Sequence, residues 1–540
     1  MSKQPESTQG AGVAQAVPWL ALGVIVLAQV QMAFNVNALP VSIGPIVEEL
    51  ETPATSVATA LVVYSLFVAA FVMLGAKIGK IFGARLVFQV SALAHGAAMA
   101  LMAFSTDADM MNSAQAIAGL AAAALVPTLV VLIAANYSGA QQAQALGILA
   151  GAPAMAGATA FFIAGFLATS LSWRYSFAIL AVVSLAVFVL SFRLKSVPRQ
   201  SGVAIDLVGV VLSALAVVFI SFGFNNLNTW GLVLARSGAP FHVLGLSPAP
   251  FMIVLGIVFG QAFFSWSFKR IADNKTPLLA MEVLDTREER AATLALLIIS
   301  GLGPAVNFLI PLYIQIVQGR TSFQTAVAVV PYTLAIFVAA ALSVRLYKRL
   351  SPRQLGSIGF VIVAIGLVLL AFTIQNEWGT PLVILSLVVV GIGEGALVTL
   401  VFNVLVSASP KELAGDVGAL RGVANNLSTA MGTALSAVIS VTLLGMFISS
   451  SLVDNPDFPP PLQQQINFDN VNFVSNDQLV DVLSEGTTAT PEQIAEAVRI
   501  NEDTRLSALK GAFLILAGIS LLAVFPASGM PSYRPEEIPL

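Results

Sequence analysis

Cysteine is absent from this 540-residue chain, and histidine occurs only twice. The first absence excludes disulfides, thiolate metal sites and thiol nucleophiles, and the two together argue against a metalloenzyme. Charge is scarce as well. Asp, Glu, Lys and Arg make up 10% of the residues, against roughly 25% in a soluble domain. So few charges cannot cover a water-facing surface of this size. The net charge of −3 offers no basic patch for nucleic acid. No phosphate-cradling glycine loop, nucleotide-binding domain, metal-ligand cluster or Ser/His/Asp arrangement stands out, so neither a cofactor nor direct nucleotide drive is expected. The polar N-terminus, residues 1–17, lacks the basic-then-apolar layout of a cleavable signal, and the apolar run after it is too long for a signal core.

What remains is apolar: 57% of residues are hydrophobic, and the mean hydropathy is +0.89. A membrane-spanning helix needs about 20 predominantly apolar residues. Runs of that kind, broken at charges and at Gly/Pro/Asn clusters, number about fourteen. The first six start near Pro18, Ser56, Leu86, Asn112, Ala145 and Arg174, and two more near Asp206 and Pro248. The last six start near Ala291, Phe323, Leu355, Pro381, Gly415 and Ser507. The expected fold class is an all-α polytopic membrane protein.

Lys and Arg concentrate on alternate loops, the others holding only scattered Arg174, Arg236, Arg320, Arg499, Arg505 and Lys510. With the N-terminus inside, the inner loops hold Lys77, Lys80 and Arg85; Arg193, Lys195 and Arg199; Lys269, Arg270, Lys275, Arg287 and Arg290. The remaining inner loops hold Arg345, Lys348, Arg349 and Arg353, then Lys411 and Arg421, whereas the first outer loop carries Glu48, Glu49 and Glu51 and no basic residue. Cytoplasmic loops retain positive charge, so both termini are expected in the cytoplasm. One long segment, about 450–503, is acidic and rich in Asn, Gln and Pro, and is expected outside. It is expected to be mainly a solvated connection, with a short helix near Pro491–Arg499 capped by Thr490.

Several motifs occur in order along the chain. The first span ends in NALP (Asn37 to Pro40), and the loop after the second reads GAKIGKIFGAR (Gly75 to Arg85, with Lys80 and Gly83 inside it). The fourth span reads QAIAGLAAAALVP (Gln115 to Pro127, through Gly119), and the sixth opens with SWRYSF (Ser172 to Phe177, including Trp173 and Arg174). IDLVG (Ile205 to Gly209), TWG (Thr229 to Gly231) and PLYIQIVQG (Pro311 to Gly319) followed by VVP (Val329 to Pro331) complete the set. Over nearly its whole length the chain resembles the major facilitator superfamily, specifically its fourteen-helix branch of drug:proton antiporters.

The resemblance implies two six-helix bundles with two helices inserted between them. The expected division is an N-terminal bundle at 18–195, inserted helices at 205–268, a cytoplasmic loop at 269–290, a C-terminal bundle at 291–528 with the outer loop 450–503, and a cytoplasmic tail at 529–540. It further implies a substrate site near the midplane between bundles that rock against each other, proton coupling, and a bacterial inner (plasma) membrane. The partners expected are a small-molecule substrate, the bilayer and protons. The departures fall at charged positions. Gln31 stands where the branch carries an Asp, Gln115 where it carries an Arg, and Lys80 where the loop signature has an Asp. Ala160-Phe161-Phe162-Ile163-Ala164-Gly165 replaces Gly-Pro-x-x-Gly-Gly, keeping only Gly165. Glycines let helices approach closely, so Phe161 and Phe162 should hold helices apart or fill a groove. Without its Asp, the 75–85 loop reads better as topology charges than as a latch.

Ionisable groups inside membrane spans are expensive and usually face a cavity or a partner. Glu394 lies mid-span in GIGEGAL, where its flanking glycines leave room for water or a substrate group. A carboxyl group out of water favours its neutral form, as proton exchange requires. The alternative is a structural carboxyl group bonded to a neighbouring helix. His95, mid-span in SALAHGAAM, reads better as an interhelical hydrogen bond than as a proton relay, although its chemistry suits either. Polar residues concentrate on spans 1, 4, 9 and 12, which the resemblance places around the cavity. The cavity candidates are Gln31 and Asn35, Gln115, Asn307 and Gln315, and Glu394 and Asn403. Glu394 and His95 are the coupling candidates; Gly75, Lys80, Gly83, Arg85, Gly119, Pro127, Gly165, Trp173 and Arg174 are the motif and gating candidates. A membrane-embedded enzyme or a transport-fold sensor fits less well, since no charged cluster and no soluble regulatory domain is visible. The expected function is secondary active export of hydrophobic or amphiphilic small molecules by alternating access, coupled to protons. The alternative is a facilitator, or a differently coupled porter, for a polar or lipid-like solute.

Overall fold

The computed structural model describes residues 19–137, 139–197, 199, 205–346, 349–376, 381–408, 414–453, 455, 458 and 471–532. The side chain of Asn403 and the loop cations Lys348 and Lys411 lie outside the described part. Thirteen helices are long and apolar enough to cross a membrane, and α6 (Gly139–Ser170), 32 residues long, is the fourteenth. The first bundle consists of α1 (Leu20–Val41), α3 (Ala54–Phe82), α4 (Ala84–Ala103), α5 (Ala108–Asn136), α6 and α7 (Arg174–Leu190), with the short α2 (Ile43–Glu49) after α1. Helices α8 (Leu207–Trp230) and α9 (Pro248–Ala272) form the inserted pair. The second bundle consists of α10 (Arg287–Leu312), α11 (Ser322–Leu346), α12 (Pro352–Thr373), α13 (Pro381–Ala408), α14 (Ala414–Val453) and α16 (Pro491–Leu522). The short α15 (Asn476–Gly486) lies between the last two. The face where α1 begins is called the near face below, and the face where it ends the far face.

Local chemistry sets the helix starts. Ser247, Ser351 and Thr490 each cap a helix with the side-chain oxygen, and each is followed by proline in the first turn. Proline there costs nothing because its missing N–H would be unpaired anyway. Thr286 and Glu289 form a reciprocal capping box at α10. Asp107 caps α5 through Met110 N at 2.8 Å; that bond and one from the Thr106 hydroxyl hold its carboxyl group below the ordinary carboxylate range. The Thr490 cap falls where the sequence places it. The helix it starts is not short, however, and runs without a break into the last membrane span.

Packing between helices depends on small residues. Van der Waals contact, rather than a hydrophobic drive, holds helices together in lipid, so backbones must approach closely. A Cβ at Gly75 would overlap the Ala123 carbonyl, and one at Gly119 the Tyr64 carbonyl, so both glycines serve the α3–α5 crossing. Gly83, at φ +93°, makes the turn between α3 and α4 in a conformation that disfavours a side chain. Arg85 reaches from that turn to the Phe192 carbonyl at 2.8 Å, while Lys80 is exposed. Pro127 sits inside α5.

Trp173 and Arg174 organise one far-face corner. Both donate to the Glu49 carboxylate, Trp173 Nε1 at 2.6 Å and Arg174 Nε at 2.8 Å. Arg174 Nη1 also donates to the carbonyls of Ala103 and Ser105 at 3.0 and 2.6 Å. One guanidinium thus ties the end of α4 to α2 and the start of α7. The Glu49 carboxylate is half exposed, so most of the value lies in the two carbonyl bonds. Arg174→Ala is expected to cost about 2 kcal/mol, read as a lower unfolding midpoint of the detergent-solubilised protein. A midpoint unchanged from wild type would show the corner to be dispensable.

The bundles meet along two seams. Helix α3 packs on α14, and α6 packs on α11. Each seam pairs the second membrane helix of one bundle with the fifth of the other, the pattern expected of two structural repeats. The inserted α8 and α9 pack on each other, and α8 also touches both α3 and α14, covering one seam. At its near-face end the pair is stapled by Asp206, which accepts from Gly209 N at 3.1 Å and Trp266 Nε1 at 2.9 Å, with Arg270 Nε at 3.6 Å.

Candidate functional site

Glu394 is the one carboxyl group placed mid-membrane among the described helices, and three helices define its surroundings. Its Oε2 accepts from the hydroxyl of Tyr332 on α11 at 2.5 Å. Its Oε1 lies over Gly303 on α10, where any Cβ would overlap it. The carboxyl group is half-buried, whereas Tyr332 is buried. Asn307, one helical turn beyond Gly303, is also half-buried. The arrangement gives a protonatable group one hydrogen-bond partner, Tyr332, among the described residues.

The flanking glycines do something other than leave room. A Cβ at Gly391 would meet the Tyr332 carbonyl at 2.6 Å, one at Gly395 would overlap the Ile336 carbonyl, and one at Gly393 would meet the Gly359 carbonyl at 2.8 Å. They let α11 and α12 press against α13; space for the carboxyl group comes from Gly303 on another helix. Gly303→Ala is expected to push Glu394 off Tyr332 and to cost roughly 1–3 kcal/mol through overpacking. The check is the unfolding midpoint together with gradient-driven transport, both of which should fall; unchanged values would mean the carboxyl group has a second resting place.

Two amides of the first bundle pair with each other. Asn35 Nδ2 donates to Gln115 Oε1 at 2.8 Å, and Gln115 Nε2 donates back to Asn35 Oδ1 at 3.1 Å, with both residues fully buried. Gln31, one turn earlier, accepts from the Ser184 hydroxyl on α7 at 2.9 Å. His95 Nδ1 lies 3.5 Å from the same hydroxyl, so α1, α4 and α7 meet there. His95 takes the interhelical position the sequence favours for it. Gln31, Asn35 and Gln115 face neighbouring helices in this conformation, and the half-buried amides on α1 are Gln29 and Asn37.

Gln315 lies near the far-face end of its bundle, in the wide turn Tyr313–Val317, and crosses to the other bundle. Its Nε2 donates to the Val41 and Pro40 carbonyls at 3.0 and 3.4 Å, and its Oε1 accepts from Gly44 N at 2.8 Å. The side chain is buried and closes the join between α1, α2 and α10. Tyr313 and Gln318 of the same motif bind the Gln375 carbonyl at 2.7 and 3.0 Å, anchoring the turn in its own bundle. Nearby, Phe323 N donates to the Thr169 hydroxyl at 2.9 Å. Gly165 meets Ser322 and Ala326 where a Cβ would come within 2.8 Å of both. Phe161 is buried in the core and Phe162 is exposed on the apolar surface. Gly165 lets α6 approach α11 closely all the same.

Sequence reasoning missed Tyr332, Gly303 and Ser184. Tyr332 follows the VVP motif but carries no periodic signal of its own. A glycine or serine in an apolar span is too common to single out.

Two bundles of six apolar helices meeting along repeat-related seams, with an inserted pair and one mid-membrane carboxyl group, define a polytopic membrane transporter fold. The family model for the Major Facilitator Superfamily matches residues 25–433. The chain belongs to that superfamily and is an integral membrane transporter of small molecules. The multidrug efflux pump LfrA of Mycolicibacterium smegmatis is 24% identical to it, over 94% of this chain and 96% of that protein. The puromycin resistance protein pur8 of Streptomyces alboniger is 27% identical over 80% and 83%. The probable actinorhodin transporter of Streptomyces coelicolor is 23% identical over 83% and 77%. Among solved structures, a bacterial homologue of the human lysosomal transporter Spinster, in an inward-facing and occupied conformation, superposes with a TM-score of 0.60. That match is at 13% identity and covers 93% of this chain and 96% of the other.

Proposed function

We propose that this transporter exports hydrophobic or amphiphilic small molecules by alternating access, with each cycle coupled to proton movement through Glu394. The observation that carries the proposal is the Glu394 site, a half-buried carboxyl group gripped by Tyr332, with Glu394 and the underlying Gly303 on helices the resemblance assigns to the cavity wall. Relatives aligned over most of the chain are named as a multidrug efflux pump, a probable actinorhodin transporter and a puromycin resistance protein, which favours export of organic compounds. Alternating access requires a closure that can open, and Gln315 supplies hydrogen bonds suited to breaking and reforming at the far face. The near face, with its Lys- and Arg-rich loops, is taken as cytoplasmic, which puts both termini inside a bacterial inner membrane. The division 18–195, 205–268 and 291–528 is adopted as the two bundles and the inserted pair, with 269–290 as a cytoplasmic loop.

A second mechanism is favoured by the first bundle. Gln31, Asn35 and Gln115 bond to neutral partners, and Lys80 is an exposed cation where the branch has an Asp, so coupling through that half has no carboxyl group to use. A facilitator, or a differently coupled porter, for a polar or lipid-like solute would keep such a bundle. Proteoliposomes loaded acid inside and given a fluorescent lipophilic cation such as ethidium distinguish the two. Uptake that rises with the pH gradient supports proton-coupled export. Transport that ignores the gradient supports the facilitator.

A further inference from the structure

We infer that the far-face segment between α14 and α16 carries a binding pocket for an amphiphile with an apolar body and a hydrogen-bond-accepting head, of which a medium-chain fatty acid is the simplest member. Its described residues 471–490 are folded onto the helices. Asn472 donates to the Thr55 hydroxyl of the first bundle at 2.9 Å, and Arg505 of α16 donates to the Ile316 carbonyl of the second bundle at 3.3 Å. Asn455 Nδ2 bonds Glu496 at 3.0 Å, and Asn476 Nδ2 bonds Glu502 at 2.6 Å. This replaces the expectation of a merely solvated connection.

Beneath α15 lies a cavity of about 410 Å³, within the range of roughly 300–1,000 Å³ usual for small-molecule sites. Its walls are apolar, chiefly Ile448, Leu452, Leu479, Leu483 and Ile500. Three polar side chains break this lining: Asn472 and Thr487, which bond the Thr55 hydroxyl and the Leu483 carbonyl, and Asn501. Asn501 is only 4% exposed, and its Nδ2 has no hydrogen-bond partner. One turn further along α16, Arg505 is 1% exposed. Its Nη1 donates to the carbonyl of Val474, itself a lining residue, and its Nη2 donates to Asn476, but its Nε is unpartnered. No carboxylate lies within salt-bridge distance of that guanidinium among the described residues. Buried polar groups are nearly always paired, and an unpaired one is penalised by its lost hydration. An unpaired donor in the wall of an apolar cavity, with a second on the cation one turn behind it, calls for an acceptor attached to an apolar chain. A carboxylate or ester carbonyl supplies the first and its acyl tail the second; a cationic amphiphile of equal length would leave the Asn501 donor unpaired and bring its charge toward the Arg505 guanidinium.

The test uses the full-length protein in lipid nanodiscs and dodecanoic acid carrying a photoreactive diazirine, with the labelled peptides identified by mass spectrometry. Labelling is expected in peptides from 471–501, displaced by plain dodecanoic acid, and about tenfold stronger than with the diazirine derivative of dodecylamine. Leu483→Trp should fill the cavity and abolish the label. Asn501→Leu, which keeps the shape and removes the donor, should erase the preference for acid over amine. Equal labelling by acid and amine in wild type, or labelling that survives Asn501→Leu unchanged, would overturn the proposal. A nanodisc containing a photoreactive phosphatidylcholine tells the source. Labelling of the same peptides by that lipid assigns the pocket to bilayer acyl chains, and labelling only by the free acid assigns it to a compound released at this face. Binding is read without transport, so a failure of gradient-driven export would leave this inference standing.

Discussion

Glu394→Gln is expected to remove the response to a pH gradient while leaving the protein folded. Glutamine matches the carboxyl group in size, keeps an oxygen for the Tyr332 hydroxyl, and fits over Gly303 as glutamate does. What it lacks is an exchangeable proton. With the membrane potential clamped at zero, one proton crossing a gradient of one pH unit supplies about 1.4 kcal/mol. A one-for-one exchange therefore sustains roughly a tenfold accumulation of substrate. Wild-type vesicles should approach that ratio, and the variant should settle near unity while still equilibrating the compound. Tyr332→Phe, which leaves the proton-carrying group but frees it, should retain coupling at a reduced rate. A Glu394→Gln variant that accumulates substrate as wild type does would rule out this carboxyl group as the coupling site.

Gln315→Ala should unlatch the far face. Two of the bonds at stake, to the Val41 carbonyl and from the Gly44 amide, join the bundles directly. Each is worth about 0.5–1.5 kcal/mol net, and a partner left buried and unpaired adds to the loss. Together the change is about 2–4 kcal/mol, or roughly a 30- to 1,000-fold shift in the ratio of closed to open far face. The shift will be large only if the open state is otherwise close in energy, as a rocking transporter requires. The natural absence of cysteine makes the measurement direct. Spin labels at Thr106→Cys and Gln375→Cys, exposed positions at the far-face ends of the two bundles, should report a longer distance when Gln315 is removed. An identical distance distribution in the two proteins would show that the helix seams, and not Gln315, hold the face shut. Gly44 is part of the same clasp, since a Cβ there would stand 3.0 Å from Gln315 Oε1.

Much of the architecture was legible without coordinates, and for a local reason. Whether a stretch of about 20 residues prefers lipid depends on its own composition, and a helix start depends on three or four consecutive residues. The starts read at Arg174 and Pro248 coincide with helix starts, and the Thr490 cap is in place. The last span was read as starting near Ser507 because its first turns are polar. Those turns are the capped start of the same continuous helix, and polarity there is no bar to helix formation.

The sequence by itself determined the solvent, the number of crossings, the family and the one acidic residue worth singling out. Only the tertiary structure decided how the polar groups are spent. Asn35 and Gln115 look like cavity amides from their spans, yet 80 residues apart they pair with each other. Gln315 looks like a pore residue, yet it bonds Gly44, 271 residues away, and closes the join between bundles. The glycines around Glu394 look like space, yet they are filled by α11 and α12, and the space comes from Gly303. In each case the partner is fixed by the tilt and crossing of helices far apart in the chain. Hydropathy and periodicity report which way a residue faces on its own helix, but not which helix stands opposite.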